Sequence, residues 1–119
     1  MNIAVTSQGN NLDSQIDPRL GRTKFFIVYD LEKDEFAAMD NKQNLNAPQG
    51  AGIQAAQNII GTGSEAVITG NCGPKAFRVL SAGDVKVFKA VDGTVKENIE
   101  KYRSGELNEM SDANVEGHW

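Results

Sequence analysis

Apolar runs alternate with polar, glycine-rich stretches along the chain, and this pattern predicts five strands and three helices. Short runs of β-branched and aromatic residues are typical of strands. Strands are predicted at residues 3–6, 24–31, 35–40, 65–69 and 85–88. Apolar residues at helical spacing predict helices at 52–60, at 74–82 and from 95 onward. The polar stretch 7–23 is predicted to form a long loop.

Two of the predicted helices carry more detailed signals. In the first helix, Ile53, Ala56 and Ile60 fall on one face, which predicts the buried side of that helix. Before the last helix, Thr94 and Glu97 have the spacing of a capping box, in which Thr94 is the N-cap residue. The start of the last helix should therefore be closed by its own side chains.

The order of elements, β-β-β-α-β-α-β-α, predicts a single α/β domain over residues 1–104 and a polar tail over residues 105–119. A hairpin followed by right-handed crossovers gives a five-stranded mixed sheet in the order 3-2-1-4-5, with strand 2 antiparallel and three helices. In this topology, the loop at 7–23 and the starts of all three helices meet at one edge of the sheet. The reversal of strand order beside strand 1 is where such sheets bind ligands.

Composition is that of an ordinary globular chain and excludes several kinds of protein. Of 119 residues, 39% are apolar and 24% are charged, and the net charge of -4 argues against binding to duplex nucleic acid. A single cysteine excludes an internal disulfide and any site built on several thiolates. Because we find neither a signal-peptide pattern nor an apolar run of membrane-spanning length, we expect a cytoplasmic protein without membrane partners.

The loop at 7–23 contains a candidate anion site formed by Arg19, Gly21 and Arg22. Two arginines three positions apart, with a glycine that lets the backbone approach, are suited to clamp an anion. The residue pattern alone favours the alternative, which is a solvated loop whose Asp17-Pro18 pair sets a turn.

Two further candidate sites lie at helix starts. Gly50 and Gly52 leave bare backbone N–H groups at the start of the first helix, which favours an anion there, although a plain helix start is the simpler interpretation. Asn71, Cys72 and Gly73 precede the second helix, whose positive N-terminus would favour a thiolate at Cys72. In the alternative interpretation, Cys72 is a small buried apolar residue.

Other chemistry has little support in the sequence. His118, the only histidine, is a candidate metal ligand, but a histidine this near a chain end is more often solvated. We find no serine, histidine and aspartate combination near a strand end, and residues 3–6 offer no carboxylate for a metal-dependent nuclease. We therefore expect a binding protein rather than an enzyme.

Several segments follow the order of a known family. They are Ile3-Ala4-Val5-Thr6-Ser7, then Asp17-Pro18-Arg19-Leu20-Gly21-Arg22 leading into Phe25-Phe26-Ile27-Val28-Tyr29-Asp30, then Thr69-Gly70-Asn71-Cys72-Gly73-Pro74-Lys75-Ala76-Phe77, and the ending Val115-Glu116-Gly117-His118-Trp119. Together they resemble the dinitrogenase iron–molybdenum cofactor biosynthesis family, which includes NifX-like proteins and the C-terminal domain of NifB.

The resemblance implies a ribonuclease H-like fold without nuclease activity. It also implies a role in binding, carrying or protecting an iron–sulfur or molybdenum-containing cluster. A related branch, the orange protein of sulfate reducers, binds a molybdenum–copper sulfide cluster mainly by interactions other than cysteine coordination. In the leading hypothesis, such an anionic cluster is held by charge, backbone N–H groups and one soft ligand, supplied by Arg19, Gly21, Arg22, Gly50, Gly52, Asn71, Cys72 and Gly73.

The expected partners are cluster donor or acceptor proteins, and we expect a monomer. Two alternatives stay open. A regulatory or scaffold domain would bind a protein partner and no metal, with residues 105–119 as the docking segment. A sensor of small anions or nucleotides would use the same helix starts and would be stabilised by phosphate compounds.

Overall fold

A five-stranded mixed sheet forms the centre of the protein, and the structure, a computed structural model, describes residues 1–41 and 50–111. Its strands are β1 (Asn2–Ser7), β2 (Phe25–Asp30), β3 (Glu35–Asp40), β4 (Ser64–Thr69) and β5 (Lys86–Lys89). They lie in the order β3-β2-β1-β4-β5. The β1–β2 and β2–β3 pairs are antiparallel, whereas β4 is parallel to β1 and β5 is parallel to β4. The predicted strand order and directions are confirmed.

Helices cover both faces of the sheet. They are α1 (Ala51–Gly61), α2 (Pro74–Ala82) and α3 (Val95–Arg103). Buried residues of α1 and α2 pack with Ala4 and Val67 on one face. Buried residues of α3 pack with Ile3 and Val5 on the other face. Because neighbouring β1 residues point to opposite faces, β1 is enclosed on both sides and forms the middle of the core. Within the described ranges, no helix is long and apolar enough to cross a membrane.

The buried face of α1 differs from the predicted face. Its buried residues are Ala51, Ala55, Ala56 and Ile59, and the predicted Ile53 and Ile60 are only partly buried. Ile60 instead packs against the end of α2, since a Cβ at Gly83 would lie 2.6 Å from its Cδ1. The alanines give α1 a flat contact with the sheet, and periodicity alone places the larger isoleucines there.

The capping box of α3 is confirmed. The Thr94 hydroxyl accepts a hydrogen bond from the Glu97 N–H at 3.1 Å, and the Thr94 N–H donates to the Glu97 carboxylate at 3.0 Å. The buried Asn98 adds a second brace, because its side-chain amide accepts from the Val91 N–H at 2.9 Å and donates to the Val91 and Thr94 carbonyls. The start of α3 is therefore fixed to the chain that precedes it.

The first part of the predicted polar tail packs along β5. Leu107 is buried in the core cluster that includes α3. The Lys89 N–H donates to the Asn108 carbonyl at 2.8 Å, and the Met110 N–H donates to the Val87 carbonyl at 2.7 Å. These contacts cover part of the outer edge of β5, which polar composition did not predict. Residues 112–119 of the tail, which include the candidate ligand His118, lie outside the described residues.

Candidate functional site

The loop at residues 7–23 touches the starts of all three helices, as the topology predicts. At α3, the Val95 and Lys96 N–H groups donate to loop carbonyls of Ser14 and Leu12, each at 2.9 Å. At α2, loop residue Arg19 forms a parallel bridge with Asn71. At α1, a Cβ on loop residue Gly21 would lie 2.7 Å from the Gly52 nitrogen, so only a glycine allows this approach.

Buried hydrogen bonds fix this loop to the end of β1. The Thr6 hydroxyl donates to the Asp17 carbonyl at 2.6 Å. The Ser7 N–H donates to the Thr23 hydroxyl at 3.0 Å, and that hydroxyl donates back to the Ser7 carbonyl. Leu20, between these anchors, is fully buried in the core beside α1 and α2. The sequence pattern alone favoured a solvated loop, and several residues of its first half are exposed. Its second half is held down by one apolar side chain and two buried hydroxyls.

The backbone of Arg19 is fixed by Asp17, whereas much of the Arg19 side chain is exposed. The Asp17 carboxylate accepts a hydrogen bond from the Arg19 backbone N–H at 3.0 Å, and the same oxygen lies 3.7 Å from the Arg19 Nε. The Asp17 side chain is 4% exposed and the Arg19 side chain is 46% exposed. Asp17 therefore anchors the guanidinium and offsets part of its charge, while much of the side chain remains open to a ligand.

The other loop residues of the candidate site line the approach to α1. Gly21 is buried against the start of α1, and Arg22 next to it is half-buried. Gly50 is the N-cap residue of α1 and has a φ of 78°, a left-handed conformation that favours glycine. Among the described residues, no side chain caps this helix, and its first turn contains no acid. Gly21 thus lies against Gly52, two residues after the N-cap residue Gly50.

The start of α2 resembles the start of α1. Its N-cap residue is Gly73, which has extended backbone, and Pro74 begins the helix. Again no side chain within the described ranges caps the helix, and no acid lies in the first turn. Arg19 stands beside this start through its bridge to Asn71. The structure therefore brings the Arg19 loop together with two helix starts that no described side chain caps.

Cys72 does not face the helix start. Its side chain is 0% exposed and belongs to the core cluster that includes Leu20, Ala55 and Ala76. The thiol donates a weak hydrogen bond to the Gly73 carbonyl, with a sulfur-to-oxygen distance of 3.7 Å. Burial raises the pKa of the Cys72 thiol to about 12. The expected thiolate at the N-terminus of α2 is therefore wrong, and the buried alternative is the correct one.

Two site residues were missed by the sequence analysis. Asn41 directly follows β3 and is fully buried, and its side-chain amide donates to the Gly21 and Thr23 carbonyls at 3.3 and 2.9 Å. Lys89 is the last residue of β5, and its ammonium donates to the Gly70 carbonyl at 2.9 Å. Both follow from the sheet order, since each polar residue lies where a strand ends at the loop edge of the sheet.

Direct coordination of a metal ion by side chains has little support in the described ranges. Within residues 1–41 and 50–111, no group of three or more histidine, cysteine, aspartate and glutamate side chains is placed to hold a metal ion. The candidate ligand His118 lies outside those ranges.

Fold and site together define a small α/β domain with a candidate anion site at the carboxyl edge of its parallel strands. Residues 1–105 match the family described as dinitrogenase iron–molybdenum cofactor. The chain belongs to this family, which is associated with the assembly of metal–sulfur cofactors. The family predicted from the sequence segments is thus confirmed.

Relatives of known structure share the fold over nearly the whole chain. The apo form of the orange protein from Desulfovibrio gigas has a TM-score of 0.93 and 35% identity, with 96% of each chain covered. A candidate NifB protein from Thermotoga, solved by NMR, has a TM-score of 0.84 and 33% identity, with 98% of each chain covered. An uncharacterized protein of Methanocaldococcus jannaschii is 30% identical over 109 residues, which are 90% of this chain and 89% of that protein.

Proposed function

We propose that the protein is a non-enzymatic carrier for an anionic metal–sulfur cluster of the iron–sulfur, iron–molybdenum or molybdenum–copper type. One observation is the main support: two helix starts that no side chain within residues 1–41 and 50–111 caps lie against a loop that carries Arg19 and Arg22. Uncapped N–H groups and the positive end of the helix dipole both favour an anion. Such a cluster is the cargo of the protein.

In this proposal, each part of the edge has a separate task. Arg19 and Arg22 supply positive charge, and charge-assisted hydrogen bonds are stronger than those between neutral groups. The backbone around Gly50–Gly52 and around Asn71–Gly73 supplies N–H donors. Gly21 lets the loop approach α1 closely, and in this proposal both sets of groups contact one ligand.

The cargo would be held without a cysteine bond. Because the Cys72 thiol is buried and its pKa is raised to about 12, a thiolate there is disfavoured at neutral pH. Retention by charge and hydrogen bonds suits a carrier that must later release its cluster. Cluster donor or acceptor proteins are the partners that such a monomeric carrier requires.

The direct test is anaerobic reconstitution with iron, sulfide and molybdate, followed by metal analysis and visible absorption. The wild type should retain a coloured cluster. Arg19→Gln should lower the affinity about 10-fold or more, which is the loss expected for one charge-assisted contact. Arg78→Gln is the matched control, because Arg78 is an exposed arginine on α2 and makes the same charge change. A wild-type protein that retains no cluster would refute the proposal.

Cys72→Ala tests the absence of a thiolate ligand in the same experiment. We expect the variant to retain as much cluster as the wild type, once its stability has been checked by thermal unfolding. A loss of cluster in a folded Cys72→Ala protein would mean that the thiol moves out of the core to bind metal. The carrier function would then stand, and only the mode of binding would change.

A second candidate function is the binding of a protein partner without metal. The observation that favours it is the outer strand β3, which is exposed along its whole length and includes Phe36 at 42% and Met39 at 36% exposure. This function predicts a colourless protein after reconstitution. It also predicts that Phe36→Lys abolishes capture of a specific partner while Arg19→Gln does not.

The third alternative, a small-anion sensor, predicts that inorganic phosphate raises the melting temperature of the wild type.

A further inference from the structure

Lys89 stands at the same edge of the sheet as the Arg19 loop, although it lies 70 positions later in the sequence. It is the last residue of β5 and pairs with Thr69, the last residue of β4. The Ala90 N–H donates to the Thr69 carbonyl at 3.0 Å, which fixes the backbone on both sides of Lys89. The Lys89 side chain is exposed, and its ammonium donates to the Gly70 carbonyl at 2.9 Å.

The turn that follows β4 lies between Lys89 and the Arg19 loop. A Cβ at Gly70 would lie 3.0 Å from the Cα and the carbonyl oxygen of Pro18, so the loop backbone rests directly on this turn. The next residues, Arg19 and Asn71, form a parallel bridge. Lys89 contacts the same turn through the Gly70 carbonyl. Two cationic residues from distant parts of the chain are thus attached to the short turn that leads into α2.

The two cations differ in the groups that they already contact: Arg19 lies beside a carboxylate, whereas Lys89 contacts a neutral carbonyl. The Nε of Arg19 lies 3.7 Å from the buried Asp17 carboxylate, which offsets part of its charge. The hydrogen bond of Lys89 goes to a neutral carbonyl, and an ammonium has three donors. The Lys89 ammonium therefore has further donors for a ligand at this turn.

We propose that Lys89 is a further cationic contact for the anionic cargo and sets how strongly the site beside α2 binds it. This inference rests on the proposed carrier function. The ligand class is a multiply charged sulfur-containing metal anion. The anion accepts hydrogen bonds from Lys89 on one side of the turn and from the Arg19 loop on the other.

Tetrathiomolybdate, a coloured dianion of molybdenum and sulfide, is a suitable probe. Binding to the full-length protein would be titrated by visible absorption at low and at high salt. We expect Lys89→Gln to weaken binding about 10-fold at low salt, the loss of one charge-assisted contact, and to reduce the salt dependence. Lys89→Arg keeps the charge and should restore most of the affinity.

Lys86→Gln is the matched control. Lys86 is an exposed lysine at the opposite end of the same four-residue strand, so its substitution makes the same change in net charge. We expect its affinity to stay within about twofold of the wild type, because screening weakens interactions between distant exposed charges. Melting temperatures of all three variants would verify folding.

The outcomes separate this inference from the carrier function. If the wild type binds the probe and Lys89→Gln behaves like Lys86→Gln, the role of Lys89 is refuted and the carrier function stands. An affinity that Lys89→Arg fails to restore would also refute a role based on charge. If the wild type does not bind the probe, the role of Lys89 falls, and reconstitution with iron, sulfide and molybdate decides the carrier function separately.

Discussion

The helix starts at the loop edge of the sheet are of two kinds. At α3, every donor of the first turn has a partner: the Val95 and Lys96 N–H groups reach loop carbonyls, and the Glu97 N–H reaches the Thr94 hydroxyl. At α1 and α2, the N-cap residues are Gly50 and Gly73, and no side chain in the described part of the chain caps either helix. The same loop contacts both kinds.

This difference separates stability from function. A serine, threonine, aspartate or asparagine cap stabilises a helix by about 0.5–2 kcal/mol over an alanine, while glycine falls only slightly short of it. The protein uses a complete side-chain cap at α3, where Glu97 also complements the helix dipole. At α1 and α2, the described residues supply neither a side-chain cap nor an acid in the first turn, which leaves positive helix ends beside the loop that carries Arg19 and Arg22. The uncapped starts are the ones expected at a binding site.

The largest effect on this arrangement is expected from Gly21→Ala. A Cβ there would lie 2.7 Å from the Gly52 nitrogen and 2.9 Å from the Ala51 carbonyl carbon, so backbone must move. Overpacking of this kind costs about 1–3 kcal/mol of unfolding free energy, and the shifted loop should lose affinity for tetrathiomolybdate. Chemical denaturation and probe titration measure the two effects.

Gly61→Ala is the control for that substitution. Gly61 ends α1, and a Cβ there meets nothing within 4 Å. We expect a change of no more than about 1 kcal/mol, in the stabilising direction, because alanine is the better helix former. Equal stability of the two variants would contradict the close approach of the loop to α1.

An acid placed at the second helical position should act differently at the two kinds of start. Lys75→Glu puts a carboxylate at the acid-free N-terminus of α2 and should raise the free energy of unfolding by about 0.3–1 kcal/mol. It should also weaken tetrathiomolybdate binding about 10-fold, because the carboxylate repels an anion there. Lys96→Glu is the matched change on α3, where Glu97 and Glu100 already stand close, so we expect neither a gain in stability nor a loss of binding.

These two variants sharpen the comparison in a single experiment. Both lysines are exposed, and each is the second residue of its helix. If the two substitutions weaken binding equally, the effect comes from net charge, and the start of α2 has no special role. If Lys75→Glu leaves binding unchanged, the anion does not lie at the start of α2.

The smallest effect is the pH dependence of the α3 cap. Hydrogen bonds from the Thr94 N–H and hydroxyl hold the pKa of the Glu97 carboxyl below its ordinary value of 4.5. A carboxylate whose pKa is lower in the folded state adds stability above its unfolded pKa, and this stability disappears as the pH falls through the folded value. Wild type should therefore melt above Glu97→Gln at pH 7, and the difference should shrink as the pH falls below 4.5 and through the lower folded pKa of Glu97.

Melting temperatures measured by circular dichroism from pH 7 to pH 3 follow this difference. Glu100→Gln removes the same charge from the exposed side of the same helix and serves as the control. Its difference from the wild type should be smaller and should not follow the same course with pH. A Glu97→Gln protein that melts with the wild type at pH 7 would show that the charge of the Glu97 carboxylate contributes nothing to the cap.

Much of the fold was predictable because its signals are local. The strand order follows from the hairpin and two right-handed crossovers, and the capping box follows from the spacing of Thr94 and Glu97. The meeting of the loop with three helix starts follows from topology alone. Family membership was also accessible, because the motifs around Arg19 and Cys72 recur in the expected order.

The parts that were not predictable depend on contacts between distant residues. Cys72 precedes a helix in the sequence, but only the packing of Leu20 and α1 decides that its side chain turns into the core. The loop looks solvated because its sequence is polar, although the hydroxyls of Thr6 and Thr23 form buried hydrogen bonds that fix it to the end of β1. Lys89 reaches the site only through the pairing of β5 with β4.

The burial of Cys72 also has a consequence for the chemical durability of the protein. Burial raises the pKa of the Cys72 thiol to about 12, so the reactive thiolate is strongly disfavoured at pH 7. As the chain has no other cysteine, a folded molecule presents no sulfhydryl that could couple with a second copy or exchange with glutathione. If the protein carries a sulfide-rich cluster as proposed, this burial keeps its own thiol out of sulfur exchange.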